Sequence, residues 1–193
     1  MNGDFCYTVR MIHIIGLGNP GKEYEQTRHN VAWILLDTLV DARDWRHDKY
    51  LPGHVATLPD MTLVKPDTFM NHSGNVLPSL MKSYGLSAES LLVVQDDIDL
   101  PIGTLRLSYD RGDGGHNGIK SIVEVLGSKQ FLRLRVGVSL LDESGVLRKP
   151  NVLGRFSPLE METLQTVIEK YKTILAILTK EGKEKAMNEC NIQ

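Results

Sequence analysis

The chain has 193 residues, 41% hydrophobic and 24% charged, with a formal net charge of −2. That is enough apolar length to bury one sizeable core without disulfides or metal, and Cys6 and Cys190, far apart and away from any His-rich segment, make neither a disulfide framework nor a zinc site. The opening MNGDFCYTVR lacks an apolar stretch of signal-peptide length, and no apolar run approaches about 18 residues, so a soluble, cytoplasmic protein without membrane contact is expected.

In chain order, the first element is an apolar run, Met11-Ile12-His13-Ile14-Ile15, which reads as a buried strand over 11–15. The segment GLGNPGKEYEQTRHN follows at 16–30, and its Gly16, Gly18 and Gly21 satisfy G-x-G-x-x-G, a turn that lets backbone approach a pyrophosphate. A dinucleotide site also needs a helix opening at the third glycine. Lys22 to His29 is almost entirely polar, and the apolar spacing Val31, Ile34, Leu35, Thr38, Leu39 predicts a helix only over 30–43. An acidic residue closing a second strand is missing too, because Asp37 and Asp41 fall inside that helix. The loop is therefore expected to carry the side chains of Asn19, Tyr24 and His29 to one place, with no cofactor.

Two short strands are predicted near 54–58 and 61–65, then the loop KPDTFMNHSG at 65–74 and a helix over 75–84, in which Pro78 either forfeits a backbone bond or delays the start. A strand over Leu91–Val94, the turn DDIDLPIG and a strand over 104–109 come next. After the loop DRGDGGHNG the pattern predicts a helix over 117–127, a strand over 132–138 and a helix over 158–180, with Gly182 just past its end. Strands alternating with helices imply an α/β fold: one twisted, mixed and largely parallel sheet flanked by helices. No linker divides it, so 1–193 reads as a single domain with a flexible extension at 1–10 and a C-terminal tail at 181–193.

Charge is unevenly spread. Between Leu100 and Arg155 there are nine Lys/Arg against five Asp/Glu, whereas the remainder has thirteen against nineteen. A locally basic face on an acidic protein suits contact with one part of a large anion, and it is equally compatible with an ordinary solvated surface.

Four segments at element ends combine turn residues with chemically useful side chains: GLGNPG…TRHN, KPDTFMNHSG, QDDIDLP and GDGGHNG. Each has a plain structural reading as a cap or turn, with His29, Asn71, Ser73, Asp96 and Asp99 as caps or turn formers. None of the six histidines lies in an H-E-x-x-H pair, and no G-x-S-x-G occurs, so neither a zinc site nor a serine nucleophile is expected. What remains is a His as general base, an Asp to orient it and Asn amides to polarise a carbonyl. That set can hydrolyse an activated ester by direct attack of water.

Together these segments resemble the bacterial-type peptidyl-tRNA hydrolase family. The matching stretches are GLGNPGKEYEQTRHN at 16–30, KPDTFMNHSG at 65–74, DDIDLPIGTLR at 96–106, GDGGHNGIKSI at 112–122, FLRLRVGVS at 131–139 and VLGRFSPLE at 152–160. The resemblance implies a monomeric, metal-free hydrolase that cleaves the ester joining a peptide to the 3′-terminal ribose of tRNA. It implies His29 as base, Asp96 as the acceptor that favours its proton-accepting form, and Asn19 as reader of the peptide amide. Asn71 and Asn117 would position substrate and water, Tyr24 and Phe69 would line the cleft near the tRNA end, and Met70 would border it. Arg106, Arg133 and Arg135 would contact phosphates.

Against the usual pattern, Gln95 stands where His is common, Asp97 where Glu is common, Ala32 and Ser139 where Gly is common, and Pro78 lies inside the second helix. Members of this fold also include chloroplast group II intron splicing factors, so a non-catalytic RNA-binding scaffold is the alternative reading.

Overall fold

The computed structural model describes residues 11–192, so the expectations for the first ten residues, Cys6 among them, lie outside the described residues. A mixed sheet carries the molecule. β1 (Ile12–Gly16) runs parallel to β4 (Met61–Pro66) on one side and to β5 (Leu91–Pro101) on the other, and β5 runs parallel to β7 (Leu132–Leu141). Antiparallel strands flank these four: β3 (Gly53–Thr57) beside β4 with β2 (Arg46–His47) beyond it, and β6 (Leu105–Tyr109) and β8 (Leu147–Arg148) beside β7. The near-continuous apolar runs of β1 and β5 follow from burial on both faces.

Alternate residues of the strands feed two cores. Ile14, Leu63, Val94 and Leu134 pack with α1 (Val31–Leu36), α4 (Pro158–Glu181) and α5 (Lys183–Asn191). Ile15, Val64 and Val93 pack with α2 (Leu77–Tyr84) and α3 (Asn117–Leu126). No described helix is long and apolar enough to cross a membrane.

Several expected boundaries move. The helix expected over 30–43 is α-helical only over Val31–Leu36, because Thr38 and Leu39 switch to bonds three residues back and the Thr38 hydroxyl competes for the Leu35 carbonyl at 2.7 Å. Pro78 delays its helix rather than breaking it: Met70–Val76 is 3₁₀, and the proline sits in the first turn of α2, where its missing N–H costs nothing. The turn read in DDIDLPIG is the outer half of β5, kept extended by pairing with β7 and shifted in register between Asp97 and Pro101. Within the stretch expected as a tail, Lys183–Asn191 forms α5, which follows the turn at Gly182 (φ 91°) and buries Ala186 and Cys190. The Asn191 side-chain amide then pairs with Leu107 of β6, its Oδ1 accepting the Leu107 N–H at 3.1 Å and its Nδ2 donating to the Leu107 carbonyl at 2.9 Å.

Candidate active site

The site forms past the carboxyl ends of β1 and β4, beside Asp96 midway along β5. β1 leaves the sheet at Gly16, opposite Val94, and Leu17 N–H still bonds the Val94 carbonyl at 3.0 Å. β5 continues alone on that side, which opens the Asp96 side chain to the loop returning from β1. Gly16 and Gly18 serve Trp33: its Nε1 donates to the Gly16 carbonyl at 2.8 Å, and a Cβ on Gly18 would lie 2.7 Å from that nitrogen. The helix begins only at Val31, ten residues beyond Gly21, so no helix N-terminus faces a pyrophosphate there.

Asn19 is buried in a cross-braced pair with Asn30. Its N–H donates to Asn30 Oδ1 and its carbonyl accepts from Asn30 Nδ2, each at 2.9 Å. The Asn19 Oδ1 accepts the Met70 N–H at 2.8 Å, which ties the loop after β4 to the loop after β1. The acceptor of the Asn19 side chain is thus occupied, and its Nδ2 is left as the donor it can offer a ligand. Asn30 was not singled out by its sequence context; only the fold pairs it with Asn19.

His29 sits in a 3₁₀ turn, Arg28–Asn30, and its Nδ1 lies 2.8 Å from Asp96 Oδ1. The same oxygen lies 2.9 Å from Nε2 of His116. Burial is the largest single influence on Asp96 and pushes its pKa up. It is outweighed by His116 and then His29, whose ring N–H groups hold the carboxyl well below the usual carboxylate range. Asp96 is therefore a buried carboxylate that accepts from His29 Nδ1, and in the neutral ring that bond leaves the lone pair on Nε2.

The two histidines differ in what they can do. His116 is the N-cap of α3, and its Nδ1 accepts the backbone N–H groups of Gly118 at 3.1 Å and Ile119 at 3.4 Å. Its ring proton must then be on Nε2, donated to Asp96, which makes it a fixed donor. Gly118 permits this seat: a Cβ there would lie 2.6 Å from Met70 Sδ and 3.2 Å from His116 Cε1. His116 escaped the sequence reading although it adjoins Asn117; its signal was a His placed just before a helix start.

His29, Asp96 and His116 offer ligand atoms within 4.8 Å of one another, the donor set of many divalent-metal sites. The His116 cap argues against that use. A metal on Nε2 would require the proton on Nδ1, aimed at two backbone N–H groups. The cluster is better matched to proton transfer.

Of the other expected site residues, Phe69 is 57% exposed and meets Tyr24 edge-on with ring centroids 6.4 Å apart. Met70 is buried, Asn71 is exposed with its Nδ2 3.2 Å from His72 Nε2, and Asn117 opens α3 beside His116.

With this geometry in hand, comparison with known proteins is specific. Residues 13–193 match the family model described as peptidyl-tRNA hydrolase. The chain belongs to the peptidyl-tRNA hydrolase family. It is 42% identical over 177 residues to a peptidyl-tRNA hydrolase of Thermotoga petrophila, covering 91% of this chain and 94% of the relative. Identity to that of Aquifex aeolicus is 40% over 185 residues, covering 93% and 96%. The crystal structure of peptidyl-tRNA hydrolase from Acinetobacter baumannii superposes with a TM-score of 0.81 at 30% identity over 95% of each chain.

The basic positions expected of a peptidyl-tRNA hydrolase need one correction. Arg133 is 2% exposed and donates Nη1 to the Gly112 carbonyl at 3.0 Å, so its guanidinium lies under the 110–115 loop and presents nothing to a phosphate in this conformation. Arg106 donates to the Asn191 carbonyl at 2.6 Å and Arg135 Nε to Asp97 at 2.6 Å, yet both line one open cavity of about 510 Å³ together with Arg111. Arg111 was not among the expected contacts. Two departures from the family pattern also find partners here: Asp97 holds Arg135, and the Ser139 hydroxyl donates to the Ile98 carbonyl at 2.6 Å, closing the register shift of β5.

Proposed function

We propose that this member of the peptidyl-tRNA hydrolase family cleaves the ester between a peptide, or an N-blocked aminoacyl group, and the 3′-terminal ribose of tRNA. The observation that carries the mechanism is the His29–Asp96 pair. Asp96 holds the Nδ1 proton of His29, so Nε2 removes a proton from water as it attacks the ester carbonyl. The imidazolium is stabilised by the buried carboxylate, and the same proton passes to the departing ribose oxygen. Asn71 and Asn117 act as amide donors toward the developing oxyanion and the water, and Asn19 Nδ2 donates to the carbonyl of the peptide bond next to the ester. Tyr24 and Phe69 receive the terminal nucleotide, with Met70 behind them. Arg106, Arg111 and Arg135 supply phosphate contacts in the basic cavity, and Arg133 acts structurally.

All these side chains come from one chain, and we take it to act as a monomeric single domain in the cytoplasm. A scaffold role is disfavoured because a non-catalytic RNA binder has no use for a buried carboxylate holding an imidazole nitrogen free. The test is release of tRNA from N-acetylated aminoacyl-tRNA, with the free-amine form as control. Turnover of the blocked substrate alone is the expected result; binding without turnover would favour the scaffold.

Chelators are expected to leave hydrolysis unchanged. The His116 cap disfavours a metal at the cluster, and a general base suffices for attack on an ester. Rates should be measured in EDTA on a minimal blocked adenosine ester, which removes the effect of magnesium on tRNA folding. Loss in EDTA restored by a divalent ion would overturn the metal-free mechanism.

A further inference from the structure

His29 is held to β5 by its ring, but the turn that carries it is held from the other side by the segment leading into α4. Arg28 N–H donates to the Gly154 carbonyl at 3.1 Å, His29 N–H to Val152 at 2.9 Å, and Phe156 N–H to Gln26 at 3.0 Å, while Thr27 and Arg155 form an antiparallel bridge. At the centre lies the Arg28 guanidinium, its side chain only 11% exposed and stacked 5.3 Å over the Phe156 ring. Its Nη1 donates to the Arg155 carbonyl at 2.8 Å and its Nη2 to Glu160 Oε1 at 2.5 Å.

Glu160 is 6% exposed and is shared between two tasks. Its Oε2 accepts the Ser157 N–H at 2.6 Å while its own N–H donates to Ser157 Oγ at 3.3 Å, the reciprocal box that opens α4. Burial is the largest single influence on the carboxyl and pushes its pKa up. The Ser157 N–H and hydroxyl, then the Arg28 guanidinium, outweigh it and hold the carboxyl below its usual range, so it stays charged. α4 spans 24 residues and buries Leu164, Val167, Tyr171 and Leu175 in the core. Glu160 thus connects a rigid helix to the residue next to the base.

We propose that Glu160, acting through Arg28, is a positioning residue for His29. The role rests on His29 being the base. Asp96 sets which ring nitrogen carries the proton, and the Glu160–Arg28 pair sets where the His29 backbone sits, so that Nε2 meets the water at the ester carbonyl. A misplacement of about 1 Å at a catalytic group can cost about 10²-fold in rate.

Glu160→Gln keeps shape and volume but replaces one acceptor by an amide donor. Whichever way the amide turns, either the Arg28 guanidinium or the Ser157 N–H faces a donor. The expected result with N-acetylated aminoacyl-tRNA is a kcat lowered by about 10- to 100-fold with KM within about two-fold. Ser157→Ala, which breaks only the box, should lower Tm and leave kcat within two-fold. Arg28→Lys cannot serve both Glu160 and the Arg155 carbonyl, so it should repeat the kcat loss; it also carries the test if Glu160→Gln does not accumulate as folded protein. Combining the two changes should lose no more than the worse one alone. A lowered Tm with unchanged kcat, or a raised KM with unchanged kcat, would overturn the proposal. His29→Ala assayed beside them separates the readings: an active His29→Ala sinks the base itself, whereas an inactive one with full activity in Glu160→Gln sinks only the positioning role.

Discussion

Replacing His29 with alanine is expected to lower kcat on N-acetylated aminoacyl-tRNA by about 10²–10⁴-fold, the usual worth of general-base assistance, while tRNA affinity stays within a few-fold. His29 and His116 share one carboxylate oxygen at 2.8 and 2.9 Å, so the site at first sight has two candidate bases. His116 cannot replace His29, because its Nδ1 is committed to the start of α3 and its Nε2 to Asp96. The side chain of His29 is 14% exposed and that of Asp96 3%, which leaves the imidazole open to a ligand and the carboxylate sealed behind it. Asp96 should add no pH step in the usual carboxylate range, since its carboxyl is held well below that range by the two imidazole N–H groups. Single-turnover rates with tRNA binding measured separately check both statements. Residual kcat within a few-fold of the unmodified protein would remove His29 from the role, and a pH step in the usual carboxylate range that Asp96→Asn abolishes would show that Asp96 is not already ionised.

Asn19→Asp is expected to narrow the preference for blocked over free-amine substrates by at least ten-fold, a larger effect than on the overall rate. The Asn19 Oδ1 accepts the Met70 N–H at 2.8 Å, and a carboxylate oxygen can keep that bond. What the substitution removes is the Nδ2 donor proposed to meet the peptide carbonyl. What it adds is a negative charge beside the place where an aminoacyl-tRNA carries its ammonium group, favouring the substrate the site otherwise rejects. A site built on a hydrogen bond rejects analogues lacking the partner by up to about 10⁴-fold, far more than an apolar pocket achieves. Measuring kcat/KM for N-acetylated and free aminoacyl-tRNA in parallel separates selectivity from rate. Equal fractional losses on both would leave Asn19 as a brace between two loops and move discrimination to Asn71 or Asn117.

Much of this molecule was legible along the chain because the relevant signals are local. Apolar runs marked β1 and β5, helical spacing marked α3 and α4, and the residues proposed for catalysis lie in short turn-rich segments where element ends were expected. The late helix start after Asn30 was enough to set aside the dinucleotide reading of the glycines.

Other features depended on partners distant in sequence. Periodicity continued the first helix to residue 43, but it cannot weigh the Thr38 hydroxyl competing for a carbonyl of its own turn. DDIDLP carries turn residues, yet pairing with β7 keeps it extended. A guanidinium reads as a phosphate ligand at any position, and only packing put Arg133 beneath a loop while leaving Arg106, Arg111 and Arg135 around an open cavity. His29, Asp96, Asn19 and Asn117 could be nominated as site residues from their sequence segments. Which nitrogen of His116 meets Asp96, which end of the Asn19 amide is occupied by Met70 and what anchors Arg28 followed only from the tertiary structure, because each depends on a hydrogen-bond partner that chain order does not place nearby.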